Sequence, residues 1–235
     1  MIQPYRIALP LQADTAQRIQ RLTAQLETGQ REAGQDQSLA GEAGQVMTDV
    51  GCQLIDVVFG DLVQQFLHVS ALPAFRESLA AIEDVKAVLR KYLPWAISFF
   101  SNERLAPVAK HYATLIESRE VDGLTLSYLQ FPLPAAVAAI AVKSLEDLEQ
   151  HRVKTAADAI EGLIQVIDVS LDVLLKQPKT LLKFNFVVDK TLNGVINMTT
   201  AMSYKNLRKL GQQLDPSLFD PLTQHLRQFL VTAAV

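Results

Sequence analysis

The chain has a single cysteine among its 235 residues, so no intramolecular disulfide can staple it. Cys52 lies inside an apolar-periodic run and reads as a buried structural thiol. There is no basic surplus either: 22 Lys and Arg stand against 25 Asp and Glu, a formal charge of -3. That balance disfavours nucleic acid as a partner, because nonspecific binding to phosphates needs a net positive field or a local patch. No apolar run reaches the ~18 residues that would read as a membrane span. The longest, from Leu133 to Val142, is rich in alanine and fits a buried helix, so a transmembrane chain is not expected. Met1 to Pro10 lacks the basic start and apolar core of a secretory signal, which leaves the cytoplasm as the default compartment.

Chemistry-bearing motifs are equally sparse. His68, His111, His151 and His225 lie far apart, and none belongs to a helical histidine and carboxylate set able to hold a metal. Asp147 and His151, one helical turn apart, read as a surface pair. A phosphate-binding loop, a dinucleotide fingerprint, a Cys/His metal spacing and a nucleophile elbow are all missing. No catalytic residue, metal or cofactor is expected on these grounds.

What is present is helical periodicity over a chain that is 49% hydrophobic, enough for a large core in one domain. The stretch from Ser144 to Gly211 organises the rest. Leu145, Leu148, Val153, Ala156, Ile160, Leu163, Ile167, Leu171 and Leu174 recur at steps of mostly three and four, one buried helical face. A helix from Ser144 to Gln177 would be about 50 Å long at 1.5 Å per residue. Pro178 then marks a break, with a kinked run through it as the alternative. A second helix would carry Leu181, Phe184, Val188, Leu192, Val195 and Met202 on its inner side, ending at a Gly211 cap.

The N-terminal half supplies further helices. Asp14 to Thr28 is amphipathic, and residues 29–45, rich in Gly, Gln and Glu with Glu-Ala-Gly-Gln occurring twice, read as a flexible loop. Met47 to Val69 forms the next helix, whose Gly51 and Gly60 suggest close approach of a neighbour. A helix opens at Pro73 and stops at Pro94, and another opens near Asn102. Tyr5 to Leu9 and Leu124 to Tyr128 alternate enough to form short strands, each the other's only evident partner. The Ala135 to Val142 run and a last helix near Leu222 to Leu230 complete an all-α bundle of about seven or eight helices, mainly antiparallel. The apolar tail from Val231 to Val235 is expected to be docked.

Charge reverses along the organising stretch. Glu146, Asp147, Glu149, Asp158, Glu161, Asp168 and Asp172 dominate its first part. Lys176, Lys179, Lys183, Lys190, Lys205, Arg208 and Lys209 dominate its second, against Asp189 alone. A basic stripe through Lys179, Lys183, Lys190 and Arg208 is the candidate contact for an acidic partner. Trp95, Phe99 and Phe100 form the densest aromatic cluster and are the candidate apolar anchor or pocket. The reading that follows is a non-catalytic interaction or regulatory protein that meets a protein partner or its own copy. The alternative is a carrier or sensor holding a small hydrophobic ligand, lipid-like or aromatic, in a cavity of the bundle, with the Ala135 to Val142 run as wall.

Overall fold

In the computed structural model, which describes residues 5–29, 38–70, 72–121 and 123–232, helices dominate and a small sheet closes one side. The elements follow in the order β1 (Tyr5–Leu11), α1 (Ala13–Thr28), α2 (Leu39–Ile55), a π-helical turn (Asp56–Gly60), α3 (Asp61–Val69), α4 (Pro73–Ile97) and α5 (Asn102–Leu115). After these come β2 (Ile116–Val121), β3 (Leu124–Pro132), α6 (Ala135–Glu149), α7 (Ala157–Leu171), a second π-helical turn (Asp172–Lys176), α8 (Gln177–Leu182) and α9 (Phe186–Gln213). A 3-10 turn (Pro216–Leu218), α10 (Phe219–Arg227) and β4 (Leu230–Thr232) end the described chain.

The sheet has the order β2-β3-β1-β4 and every pairing is antiparallel. The two expected strands do pair, Ile7 opposite Phe131 and Leu9 opposite Leu129, and those four side chains are buried. Pro10, inside β1, does not prevent this. β4 reaches only Tyr5 to Ile7 of β1, so Pro10 lies beyond it, on the β1 edge where a missing N–H removes no ladder bond. Two strands escaped the periodicity. The helix that opens near Asn102 ends at Leu115 and Ile116 starts β2, and β4 takes up Val231 and Thr232 from the apolar tail, whose remainder lies outside the described residues.

Two large hydrophobic cores hold the helices, beside a small cluster of Ala96, Val188 and Leu192 between α4 and α9. One lies beneath the sheet and joins Ile7, Leu9, Leu129 and Phe131 to α1, α2 and α5. The other gathers Phe66, Phe75, Leu148, Leu210 and Phe219 from α3, α4, α6, α9 and α10.

Residues 39–45 of the expected loop are helical instead, with Ser38 as the cap. The Ser38 side chain accepts from the Gly41 N–H at 3.1 Å and caps α2, while Leu39, Glu42, Ala43 and Gly44 are buried. The small residues there serve close packing, since a Cβ on Gly44 would lie 2.9 Å from Pro94 Cα of α4. Residues 30–37 lie outside the described residues. Gly51 also meets α4, at Leu89, but Gly60 is hemmed in only by Asp56 of its own turn.

The organising stretch is built differently in detail. Its first helix breaks between Glu149 and Ala157, where His151 takes a left-handed φ of 49°. Helix α6 therefore absorbs both the alanine run and Leu145 to Leu148. Helix then runs without interruption from Ala157 to Leu182, through Pro178. The reversal comes at Lys183, also at φ 49°, and α9 returns antiparallel to α7. Gly211 is not a cap. It lies within α9, where an added Cβ would stand 2.6 Å from Ile160 Cγ1. Pro94 likewise sits inside α4, in its last turn, where one lost ladder bond does not stop a helix.

Candidate functional site

Both π-helical turns have the same construction. A π turn shifts one N–H to the carbonyl five residues back and leaves neighbouring carbonyls without an intrahelical donor. In the second turn the Gln177 N–H goes to Asp172 O, and Pro178 has no N–H to offer. The carbonyls of Val173 and Leu174 are thus released. His111 Nε2 meets Val173 O at 2.9 Å, and the Tyr112 hydroxyl donates to Leu174 O. In the first turn the Asp61 N–H goes to Asp56 O, and His225 Nε2 donates to Val58 O at 3.0 Å. The Gln228 amide lies 3.2 Å from His225 Nδ1, which fits the neutral ring protonated at Nε2. Burial pushes the His225 pKa below its ordinary 6.5, opposed by its bond to Val58 and by Asp61. Burial raises the Tyr112 hydroxyl, so this donor keeps its proton.

Between the two bulged helices lies a cavity of about 390 Å³ lined almost entirely by carbon. Ile7 and Leu9 of β1, Leu54 and Val58 around the first bulge, Val85, Leu89 and Ala96 of α4, Leu163, Val166 and Ile167 of α7, and Leu174 of the second bulge face it. The residues of α9 that line it are Leu192, Val195, Ile196, Thr199, Thr200, Ser203, Tyr204 and Leu207. Its polar side chains therefore concentrate along the α9 wall. Close-packed interiors hold few voids larger than a water molecule. This one is far larger than a water molecule, opens toward solvent, and presents almost only apolar side chains.

The residues singled out in the sequence are not brought together. Lys179 is drawn inward, 2.7 Å from Asp189 Oδ1 and 2.6 Å from Asn193 Oδ1. Arg208 grips Glu161 with two bonds of 2.6 and 3.0 Å. The Tyr204 hydroxyl donates to Asp168 at 2.6 Å, and burial together with that bond raises its pKa. The acidic side of α7 and part of the basic stripe thus face each other across the hairpin. Lys183 and Lys190 stay exposed. Phe100 is a core residue, edge-to-face with Phe184 at 4.7 Å, whereas Trp95 and Phe99 are exposed, 5.3 Å apart in the same geometry. None of these three aromatics lines the cavity, and Ala141 alone represents the alanine-rich wall. Asp147 pairs with Lys143 and with Arg152, leaving His151 to Asp220 at 3.7 Å. Cys52 is buried, and its burial raises the thiol pKa.

Sequence reasoning missed the cavity lining. A signal was available, because α7 and its bulge carry Ile160, Leu163, Ile164, Val166, Ile167, Val169, Val173, Leu174 and Leu175, more apolar residues than one stripe can hold. The excess faces the void.

The chain matches no protein-family model, no curated protein and no solved structure.

Among the described residues no group of three His, Cys, Asp or Glu side chains converges to hold a metal ion, and no helix is long and apolar enough to cross a membrane.

Proposed function

We propose that the protein is a non-catalytic carrier or sensor that holds one small lipid-like molecule in the cavity between α2, α4, α7 and α9. The observation that carries this reading is the cavity itself, about 390 Å³ and lined almost wholly by apolar side chains from several elements, the form of a small-ligand site. Its size suits a modest ligand. A protein cavity of about 150 Å³ takes up benzene, so this one has room for on the order of fifteen non-hydrogen atoms. The carbon lining favours a chain or fused ring. The hydroxyl-bearing Thr199, Thr200 and Ser203 along one wall favour a ligand with a single polar end.

The test is titration with 11-(dansylamino)undecanoic acid, an amphipathic chain whose emission rises and shifts to the blue in an apolar site. Saturation at one probe per chain is expected, with Val195→Trp, which fills the cavity from α9, weakening it about tenfold or more while the far-ultraviolet circular dichroism is unchanged. No saturable binding, together with no small molecule released on denaturing protein purified from its own cells, would overturn the proposal.

A further inference from the structure

The outer side of the same α9 wall carries residues that the cavity does not use. Phe186 and Val187 at its start are 78% and 70% exposed, and Met198 and Met202 further along are 59% and 55% exposed. At about 100° per residue, Val187, Gly194, Met198, Ala201 and Met202 fall within one outward arc of α9 together with Lys190 and Lys205. Asp189 is the only carboxylate on the helix, and it lies off this arc, bonded to Lys179. Lys183 at the hairpin turn, Lys190 and Lys205 have no carboxylate partner among the described residues. The last turns of α4 pack on the start of α9 through Ala96, Val188 and Leu192. That packing brings the exposed Trp95 and Phe99 to the adjoining end.

An exposed helix face that alternates large apolar residues with unneutralised lysines, edged by Trp and Phe, matches the boundary layer of an anionic bilayer. The apolar side chains enter the acyl edge, the lysines meet lipid phosphates, and the aromatic rings sit at headgroup level. An acidic protein partner would need a matching apolar patch as well as carboxylates, whereas an anionic bilayer supplies both along the whole face. We propose that the protein docks on anionic membranes through the start of α9, the Lys183 turn and the end of α4, and takes its ligand from that membrane across the α9 wall. The inference rests on the carrier reading for what is taken up, but the docking face is separate from the cavity: Trp95, Phe99, Lys183, Phe186, Val187 and Lys190 do not line it.

Co-sedimentation with vesicles of phosphatidylcholine alone and of phosphatidylcholine with phosphatidylserine reads the docking. Binding is expected to the anionic vesicles only and to fall as salt rises. Two double variants, Phe186→Ser with Val187→Ser and Lys183→Glu with Lys190→Glu, are each expected to weaken it about tenfold or more. Lys110→Glu on α5 should leave it unchanged. The dansyl probe titrated without vesicles should bind both double variants as it binds the unaltered chain. Vesicle binding that is absent, indifferent to lipid charge, or untouched by both double variants overturns the inference. So does a dimer in sedimentation velocity that Phe186→Ser with Val187→Ser dissolves, which would make α9 a face for a second copy. Loss of probe binding with vesicle binding intact would instead count against the carrier reading alone.

Discussion

At Gly44 an added Cβ would lie 2.9 Å from Pro94 Cα, a backbone atom that cannot swing aside. Gly44→Ala gains about 1 kcal/mol of helix propensity but forces α2 and α4 apart, an overpacking cost of about 1–3 kcal/mol. Thermal melts should show a Tm lower by a few degrees; an unchanged or higher Tm would contradict the close crossing. His225 makes a second prediction at this scale. Its pKa is depressed in the folded protein, so the unfolded chain binds the proton more readily. The stability it contributes is complete above its ordinary 6.5 and is lost as pH falls from there toward the lowered folded value. Carboxylates paired with cations, such as Glu149 and Glu161, have depressed values and titrate in a more acidic range. Scanning calorimetry between pH 7 and pH 5 should therefore show a declining Tm in the native chain. In His225→Gln the curve should start lower, because the donor to Val58 O changes, and fall less steeply.

At the scale of the element, the helix through Pro178 is held by donors from another helix. Tyr112→Phe leaves Leu174 O without a partner and should cost about 1–3 kcal/mol in denaturant unfolding. Pro178→Ala restores an N–H within reach of that carbonyl. In a double-mutant cycle the penalty of Tyr112→Phe should therefore shrink in the Pro178→Ala background. Additive effects would show that the proline is not what releases the carbonyl. The position of this proline also explains a misreading of the hairpin. Pairing Leu181 and Met202 with Val188 and Leu192 on one inner face assumes a single helix beyond Pro178. The αL residue Lys183 divides that run in two, each part with its own rotational phase, and Leu181 turns outward; Met202 stays on the helix of Val188 and Leu192, at the edge of their face, and is exposed. Helix identity, the β1 and β3 strands and the apolar periods were legible because they depend on local spacing. The π turns, the cap at Ser38 and the break at His151 depend on which distant side chain or helix is at hand, and local spacing carries no record of that.

At the scale of the whole molecule, ligand and fold are linked. A ligand that binds only the folded chain adds RT ln(1 + [L]/Kd), about 2.7 kcal/mol at a hundredfold excess over Kd. For a chain of this size, such an increment raises Tm by about 5–10 °C. The dansyl probe should do so in the native chain and much less in Val195→Trp, and equal shifts in both would place the binding elsewhere. The cavity was the least legible part of the sequence, because it is a property of what several elements fail to fill. The sheet that floors it carries a further consequence, for synthesis. β1 finds its partner only when residues 124–132 have left the ribosome, and its other neighbour only when residues 230–232 have. At about 5–20 residues per second, the backbone edges of β1 remain unpaired for on the order of ten seconds. A nascent chain with an apolar strand waiting that long is a natural client for a holding chaperone, and slower translation would lengthen its exposure to aggregation.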